Sequence, residues 1–332
     1  MTALAPGTRT GSSTGWRSAL SMAASVAVTR PSLWLLGGLG FAARGGLLLL
    51  ALPVMTIPSP VVISILLRDQ LGTTGLAQGS DAVLLVAVGI VSAILVACLL
   101  LAAYADVAAF ERVATDAAKH GLGQGPGPRR VAAGARLDLA ITLATIQGAA
   151  LIPAGVIAVF VAERINRAVV AELTIPSSFA SPLAVRVATA AVEPLLALAL
   201  ALIVADLLYA LASRAILIRE SEPSPGTQPS ATRAAVRGIA RLLRRPIDTL
   251  VVATLCWMVT LAVVLPLLWA TSVAWQGVRR LFLAPGARSD PELLLASLIA
   301  TLLFAAVWVA GSLLAGFTSA VRSAIWSVDA LR

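Results

Sequence analysis

Charged residues are scarce in this 332-residue chain and make up 12% of it. A typical soluble domain has about twice that fraction, at roughly 25%. Histidine occurs once, as His120 beside a Gly/Pro-rich stretch, and the two cysteines, Cys98 and Cys256, lie inside apolar runs. This scarcity argues against a disulfide framework and a Cys/His metal site. The sequence also has no nucleophile elbow or paired-carboxylate motif, so we predict no catalytic residue, no metal and no cofactor.

Apolar residues are abundant instead, at 59% of the chain with a mean hydropathy of +0.93. Apolar surface on this scale needs lipid as well as a protein core to cover it. A membrane-spanning helix needs about 20 apolar residues, and six runs are long enough. The predicted spans are residues 32–57, 82–104, 139–162, 187–211, 249–274 and 293–317. The sequence therefore predicts an all-α integral membrane bundle of about six transmembrane helices.

Parts of the sequence recur at intervals typical of internal repeats. Arg30, Pro53 and Asp106 have counterparts about one hundred positions later in Arg130, Pro153 and Asp206. A third copy at a looser offset contains Arg245 and Pro266, with no acid where Asp106 and Asp206 stand. An Ala/Leu/Val-rich chain also aligns with itself by chance, so both interpretations stay open. The repeat interpretation predicts three hairpin units, each with a basic amphipathic segment, a helix with a late proline and a second helix.

The polar stretches divide the chain between these hairpins. A flexible N-terminus and two linkers rich in Gly, Pro or Ser separate the three predicted units. The predicted organisation is N-terminus 1–15, unit 1 at 16–115, linker 116–130, unit 2 at 131–219, linker 220–230 and unit 3 at 231–332.

Two segments are predicted to be amphipathic helices on the membrane surface. The first is 16–30, in which apolar residues recur at helical spacing. The second is marked by arginines that recur every three or four positions, a pattern that suits anionic lipid headgroups. These lipid-surface candidates are Arg233, Arg237, Arg241, Arg244 and Arg245. An ordinary positively charged loop is the simpler interpretation, and it is compatible with lipid contact.

The distribution of positive charge predicts the orientation. The chain carries a net charge of +9, which nucleic acid binding would also explain. However, 17 of the Lys and Arg residues fall on the side of the two termini and 7 on the other side. Cytoplasmic loops carry such an excess. We therefore predict a cell-membrane protein with both termini in the cytoplasm, and no nucleic acid partner. A protein partner or homo-oligomer is not indicated either way.

Ionisable side chains at membrane depth are costly and mark candidate functional positions. Arg44, Glu193 and Asp206 meet this criterion, and Gln147 is a further polar candidate inside a predicted span. We expect Arg44 to face the bundle interior and to pair with Glu193, from the similar depths assigned to the two residues. Asp206 is expected to pair with Arg214 or with other arginines at the cytoplasmic end. Asp106 is expected at a helix end, in contact with water. Charged pairs of this kind also serve helix packing alone.

The arrangement resembles the membrane domain that accompanies some bacterial glycerophosphodiester phosphodiesterases, and its stand-alone relatives. The resemblance rests on basic segments that enter spans at Arg30-Pro31 and Arg245-Pro246, and on about six helices across most of the chain. No catalytic phosphodiesterase domain is present, so the resemblance implies neither that activity nor any residue role. The abundance of arginine and alanine also suggests a bacterial origin.

Three functions fit this sequence. The first is a non-enzymatic membrane protein that contacts anionic lipid and organises or assists a membrane process. It predicts a closely packed bundle. The alternative is a small permease with an interior polar site around Arg44 and Glu193, which predicts a cavity near the middle of the membrane. A lipid-modifying enzyme would need several polar groups converging at headgroup level.

Overall fold

The computed structural model of the chain describes residues 16–51, 54, 80–119, 133–175, 177, 183–220, 236, 238, 240, 242–284 and 290–331. All secondary structure in these residues is helical. The helices are α1 (Trp16–Thr29), α2 (Pro31–Phe41), a π-helical turn (Ala42–Gly46), α3 (Leu47–Ala51), α4 (Ser80–Lys119), α5 (Ala133–Thr174), α6 (Leu183–Ala190), α7 (Val192–Glu220), α8 (Pro246–Phe282) and α9 (Pro291–Leu331).

Six of the helical segments in the described residues are long and apolar enough to cross a membrane. They are Pro31–Ala51, Val88–Lys119, Gly134–Thr174, Val192–Ile218, Pro246–Phe282 and Pro291–Leu331. The prediction of an all-α multi-pass membrane bundle is confirmed. The assignment of three repeats remains a prediction.

Several helices are much longer than the predicted spans. The helix α5 has 42 residues, which at about 1.5 Å per residue is roughly 63 Å, or twice the thickness of a bilayer core. The additional turns are more polar, as in the stretch from Asp106 to Lys119 of α4. They remain helical because their apolar side chains pack against neighbouring helices, which a search for continuous apolar runs does not detect.

The first span is interrupted close to its only charged residue. The π-helical turn at Ala42–Gly46 separates α2 from α3, and Arg44 has φ −85° and ψ 17°, outside the helical range. Gly45 follows with φ +89°, the left-handed region that favours glycine. The predicted kink at Pro53 lies outside the described residues. Pro153 and Pro266 lie inside α5 and α8 as predicted.

The helix α9 is the centre of the bundle and packs against α8, α2, α1, α4 and α7. The helix α5 packs against α4 and α7 and completes the other half of the bundle.

The close approach of α2 to α9 depends on glycine. A Cβ atom added at Gly316 would lie 2.8 Å from the Trp34 carbonyl oxygen and 3.0 Å from the Gly38 Cα. Such contacts between small residues are the usual means by which helices approach closely in lipid.

The buried core lies towards one end of the bundle. One cluster joins α1, α2, α4, α7, α8 and α9 and includes Leu33, Val113 and Trp326. A second cluster joins α4, α5 and α7 and includes Phe110 and Leu143. We call this end the terminal side, because α1 and the end of α9 lie there. The opposite end, where α5 leads to α6 and α8 leads to α9, is the hairpin side.

The helix halves towards the hairpin side expose large apolar side chains. Examples are Ile94 of α4, Phe160 of α5, Leu196 of α7 and Leu302 of α9, each more than half exposed. Such surface is stable only in an apolar solvent. The hairpin-side halves are therefore the part of the bundle in contact with lipid.

The helix α1 packs on protein rather than lying freely on the membrane. Ala23, Val26 and Ala27 form its buried face and belong to the cluster that contains Trp326 and Val328 of α9. With 14 residues, α1 is too short to cross a bilayer, and its position on the membrane surface stays a prediction. Its buried apolar face contacts α9.

Candidate functional site

Arg44, Asp106 and Tyr209 form a polar cluster that joins three spans. Arg44 lies in the π-helical turn, Asp106 on α4 and Tyr209 on α7. The Arg44 guanidinium forms an ion pair with the Asp106 carboxylate through Nη2 and Oδ2. The Tyr209 hydroxyl donates a 2.7 Å hydrogen bond to the same oxygen. Asp106 is 8% exposed and Tyr209 is 7% exposed, so the carboxylate and the tyrosine are buried, whereas the Arg44 side chain is 30% exposed.

Small residues make room for this cluster. Gly40 lies one helical turn before Arg44, and a Cβ atom added there would lie 3.7 Å from the Arg44 Nη1 and 3.9 Å from the Ala105 Cβ. The Arg44 side chain therefore occupies the space between α2 and α4. Its Cζ lies 5.3 Å from the centroid of the Tyr209 ring, within the range of a cation–π contact. The Arg44 charge is therefore neutralised by Asp106 and is also in contact with the Tyr209 ring.

A second ion pair links α7 to α9. Asp206 pairs with Arg322, and the Arg322 Cζ lies 5.7 Å from the centroid of the Trp257 ring on α8. The predicted pair of Asp206 with Arg214 does not form. The other possibility was a pair between Asp206 and another arginine on the terminal side. The structure has such a pair, and its arginine is Arg322.

Arg214 is the most enclosed of these cations, at 5% exposed. Its Nη2 donates to the Ser323 Oγ at 3.0 Å, and its Cζ lies 5.9 Å from the centroid of the Phe110 ring. In the part of the chain that the structure describes, its Nε and Nη1 have no hydrogen-bond partner. Arg214 is therefore a buried cation with incomplete hydrogen bonding.

The two ion pairs lie at one edge of the apolar part of the bundle. No charged residue occurs between Asp81 and Asp106 on α4, between Asp138 and Glu163 on α5, or between Glu292 and Arg322 on α9. Each stretch is roughly 35–45 Å long at about 1.5 Å per residue and is sufficient to cross the bilayer core. Asp106 and Arg322 thus mark the terminal-side limit of the charge-free stretches of α4 and α9, and Asp206 shares that level through its pair with Arg322. The ion pairs form a charged layer between the lipid-facing half and the packed terminal side.

Further polar contacts join α4 to the start of α2 and to α5. Arg30 pairs with Asp116, and the Arg112 Nη1 donates to the Ser32 carbonyl oxygen at 3.1 Å. Arg136 of α5 pairs with Glu111 at 2.9 Å. Arg30 and Arg245 both precede a proline that begins a helix, as the Arg-Pro pairs in the sequence predict.

The predicted Arg44–Glu193 pair does not form. Glu193 is exposed at the hairpin-side end of α7, where it lines a cavity with Phe160 and Arg164 of α5. The prediction placed Glu193 at the depth of Arg44, whereas the α7 residue at that level is Tyr209. Asp106 was expected in water and is buried instead.

Gln147 is a buried side chain of α5, as the sequence analysis predicted for a residue inside a span. Its Oε1 has no hydrogen-bond partner among the described residues. A functional role for Gln147 remains a prediction, since no interhelical hydrogen bond of this oxygen supports one.

The lipid-surface candidates are described only in part. Arg233, Arg237 and Arg241 lie outside the described residues. Arg244 and Arg245 are exposed immediately before α8. The nearby Gly238 is buried, and a Cβ atom added there would lie 3.2 Å from the Leu211 Cβ of α7. The segment that leads into α8 therefore contacts the end of α7.

No family model, curated protein or solved structure matches this chain. Among the described residues, no group of three or more His, Cys, Asp or Glu side chains is placed to hold a metal ion. The fold defines the class, a multi-pass α-helical membrane protein with six candidate spans.

Proposed function

We propose that the protein is a non-enzymatic component of the cell membrane that contacts anionic lipid on its terminal side and organises or assists a membrane process. The observation that carries this proposal is the pairing of Arg44 with Asp106. Because Tyr209 completes the hydrogen bonding of that carboxylate, the charge inside the first span is used to join three helices. This arrangement favours a packed structural unit over an open polar path.

Positive charge supports a cytoplasmic terminal side in this proposal. The excess of 17 basic residues against 7 is the pattern of cytoplasmic segments. The cytoplasmic leaflet carries anionic lipid, and each Lys or Arg near it contributes about 1 kcal/mol of attraction. Arg244 and Arg245 are exposed before α8, and the spacing of Arg233, Arg237 and Arg241 extends the same basic face.

The test is the lipid preference of the full-length protein in nanodiscs that contain phosphatidylglycerol and phosphatidylcholine. Native mass spectrometry then counts the anionic lipids retained. We expect Arg244→Gln/Arg245→Gln to reduce phosphatidylglycerol retention by about thirtyfold, since two charges near the surface contribute roughly 2 kcal/mol. The matched control is Arg279→Gln/Arg280→Gln, which removes two exposed arginines at the hairpin side. Equal losses in both double variants would contradict the proposal.

A small permease is the second candidate, and two observations favour it. The first span is broken at Arg44 and Gly45, and broken membrane helices occur where the backbone is buried in protein or lines a cavity; Arg214 has two donors without a partner in the described residues. Proteoliposomes loaded with pyranine or lucigenin measure proton or chloride flux. Flux above that of protein-free liposomes, abolished by Asp106→Asn, would support a permease. The absence of such flux would support the first proposal.

The resemblance to the membrane domain of glycerophosphodiester phosphodiesterases is retained as a proposal about architecture. It is supported by the helix starts at Pro31 and Pro246, each preceded by arginine. It carries no activity to this chain.

A further inference from the structure

A cavity of about 400 Å³ lies on the hairpin side between α5 and the α6–α7 junction. Four of its lining residues follow helical spacing on one face of α5, namely Phe160, Glu163, Arg164 and Arg167. Glu193 and Pro194 of α7 line the opposite wall. Its volume is in the range of small-molecule sites.

The break between α6 and α7 shapes this cavity. Helix α6 ends at Ala190 and α7 begins at Val192. Pro194 has no backbone N–H, so it cannot donate to the carbonyl of Ala190 four residues earlier. Ala190 also lines the cavity, and its carbonyl oxygen lacks the usual α-helical donor at position 194.

The charges that line the cavity sum to zero, with two arginines and two glutamates. Glu163 and Arg167 pair with each other. Arg164 and Glu193 have neither an ion pair nor a side-chain hydrogen bond within the described part of the chain. The cavity thus offers one free cation and one free carboxylate, which a ligand carrying one charge of each sign would neutralise.

The position of the cavity indicates the source of such a ligand. Glu163 ends the charge-free stretch of α5 that begins after Asp138. The α5 wall of the cavity, from Glu163 to Arg167, therefore lies at the hairpin-side edge of the charge-free stretch of α5, at the level expected for lipid headgroups. Phe160 and Val192 provide apolar walls beside the charged groups, where acyl chains would begin.

We propose that this cavity binds a phosphoethanolamine group, with the phosphate on Arg164 and the ammonium on Glu193 and the Ala190 carbonyl. The source to which we commit is a phosphatidylethanolamine of the surrounding leaflet. The site is separate from the terminal-side arginines, so its failure would leave the proposed function untouched.

The experiment uses the full-length protein in nanodiscs with equal parts of phosphatidylethanolamine and phosphatidylcholine, read by native mass spectrometry. We expect preferential retention of phosphatidylethanolamine, because its ammonium donates hydrogen bonds that the choline group cannot. Arg164→Gln and Glu193→Gln should each reduce that retention by about tenfold, the usual effect of losing a charged hydrogen bond. Arg164→Lys keeps the charge and should retain most of the binding.

Arg280→Gln is the matched control, since it removes another exposed hairpin-side arginine outside the cavity. Displacement of the lipid by soluble glycerophosphoethanolamine would show that the headgroup alone is recognised, and its failure to displace would show that the acyl chains contribute. Equal retention of phosphatidylethanolamine and phosphatidylcholine would overturn the proposal. So would equal effects of Arg164→Gln, Glu193→Gln and Arg280→Gln.

Discussion

The guanidinium of Arg44 pairs with the carboxylate of Asp106, which lies 62 residues later in the chain and on a different span. The pair forms where the first span departs from α-helical geometry, so the bend and the charge occur at the same position. A buried pair of this kind contributes little net stability, but loss of one partner leaves an uncompensated charge. This asymmetry can be tested by removing first one partner and then both.

Asp106→Asn should destabilise the protein by about 2–3 kcal/mol. The value for a fully buried pair is higher, but the Arg44 side chain is 30% exposed, which allows some hydration. An unfolding titration in mixed micelles measures the change. Arg44→Gln in the same chain should recover part of the loss, because it removes the unpaired cation. The control is Arg167→Gln, which breaks an exposed pair with Glu163 and should cost less than about 1 kcal/mol.

Tyr209→Phe should cost about 1.5–3 kcal/mol, the net value of a hydrogen bond to a charged group, because the phenol loses its 2.7 Å bond to Asp106. The same substitution in an Asp106→Asn background should cost less, since the charged acceptor is already gone. A double-mutant cycle measures this difference. Strictly additive effects would show that the hydroxyl does not act through Asp106.

Gly316→Ala should separate α2 from α9 and destabilise the protein by about 1–3 kcal/mol, a common cost of overpacking. The added Cβ would meet backbone atoms of Trp34 and Gly38, which cannot rotate away. Gly155→Ala is the control, because nothing lies within 4 Å of a Cβ at that position. It should be neutral or stabilising by about 0.5–1 kcal/mol through helix propensity. Unfolding of both variants in mixed micelles gives the comparison.

Arg214→Met should be neutral or stabilising by about 1–2 kcal/mol. The substitution removes a buried cation with two unpartnered nitrogens and keeps an unbranched side chain against Phe110. Replacement of incompletely paired buried charges by apolar residues often has this effect. In an unfolding titration, its change in the free energy of unfolding should be zero or opposite in sign to that of Asp106→Asn. A loss above about 3 kcal/mol would indicate that the remaining nitrogens of Arg214 are bonded outside the described residues.

The spans were predictable because a bilayer requires long uninterrupted apolar runs, and six such runs stand out in the sequence. The full lengths of the helices were not predictable from the sequence. Polar turns such as those from Asp106 to Lys119 continue as helix only because α1, α5 and α7 supply apolar contacts. Those contacts depend on which helices are neighbours, a property that local composition does not record.

The partner of Arg44 was missed for a related reason. A count of residues along each span estimates depth, but pairing also depends on helix rotation and on adjacency. Here α2 adjoins α4 and α9, whereas Glu193 lines a cavity against α5, about 20 Å along α7 from Asp206. One signal was present in the sequence, since Asp106 and Tyr209 both stand at the end of an apolar run, at the level where a cation in the first span needs partners.

The packing of α1 and α2 against α9 also sets an order of events during synthesis. The amino-terminal helices leave the ribosome first, but their main contact surface is made last. At a synthesis rate of about 5–20 residues per second, Gly316 is added to the chain roughly 15–60 s after Gly37. During that interval α4 is the main neighbour of the first span, and Asp106 is the acid that neutralises Arg44 while the bundle is still incomplete.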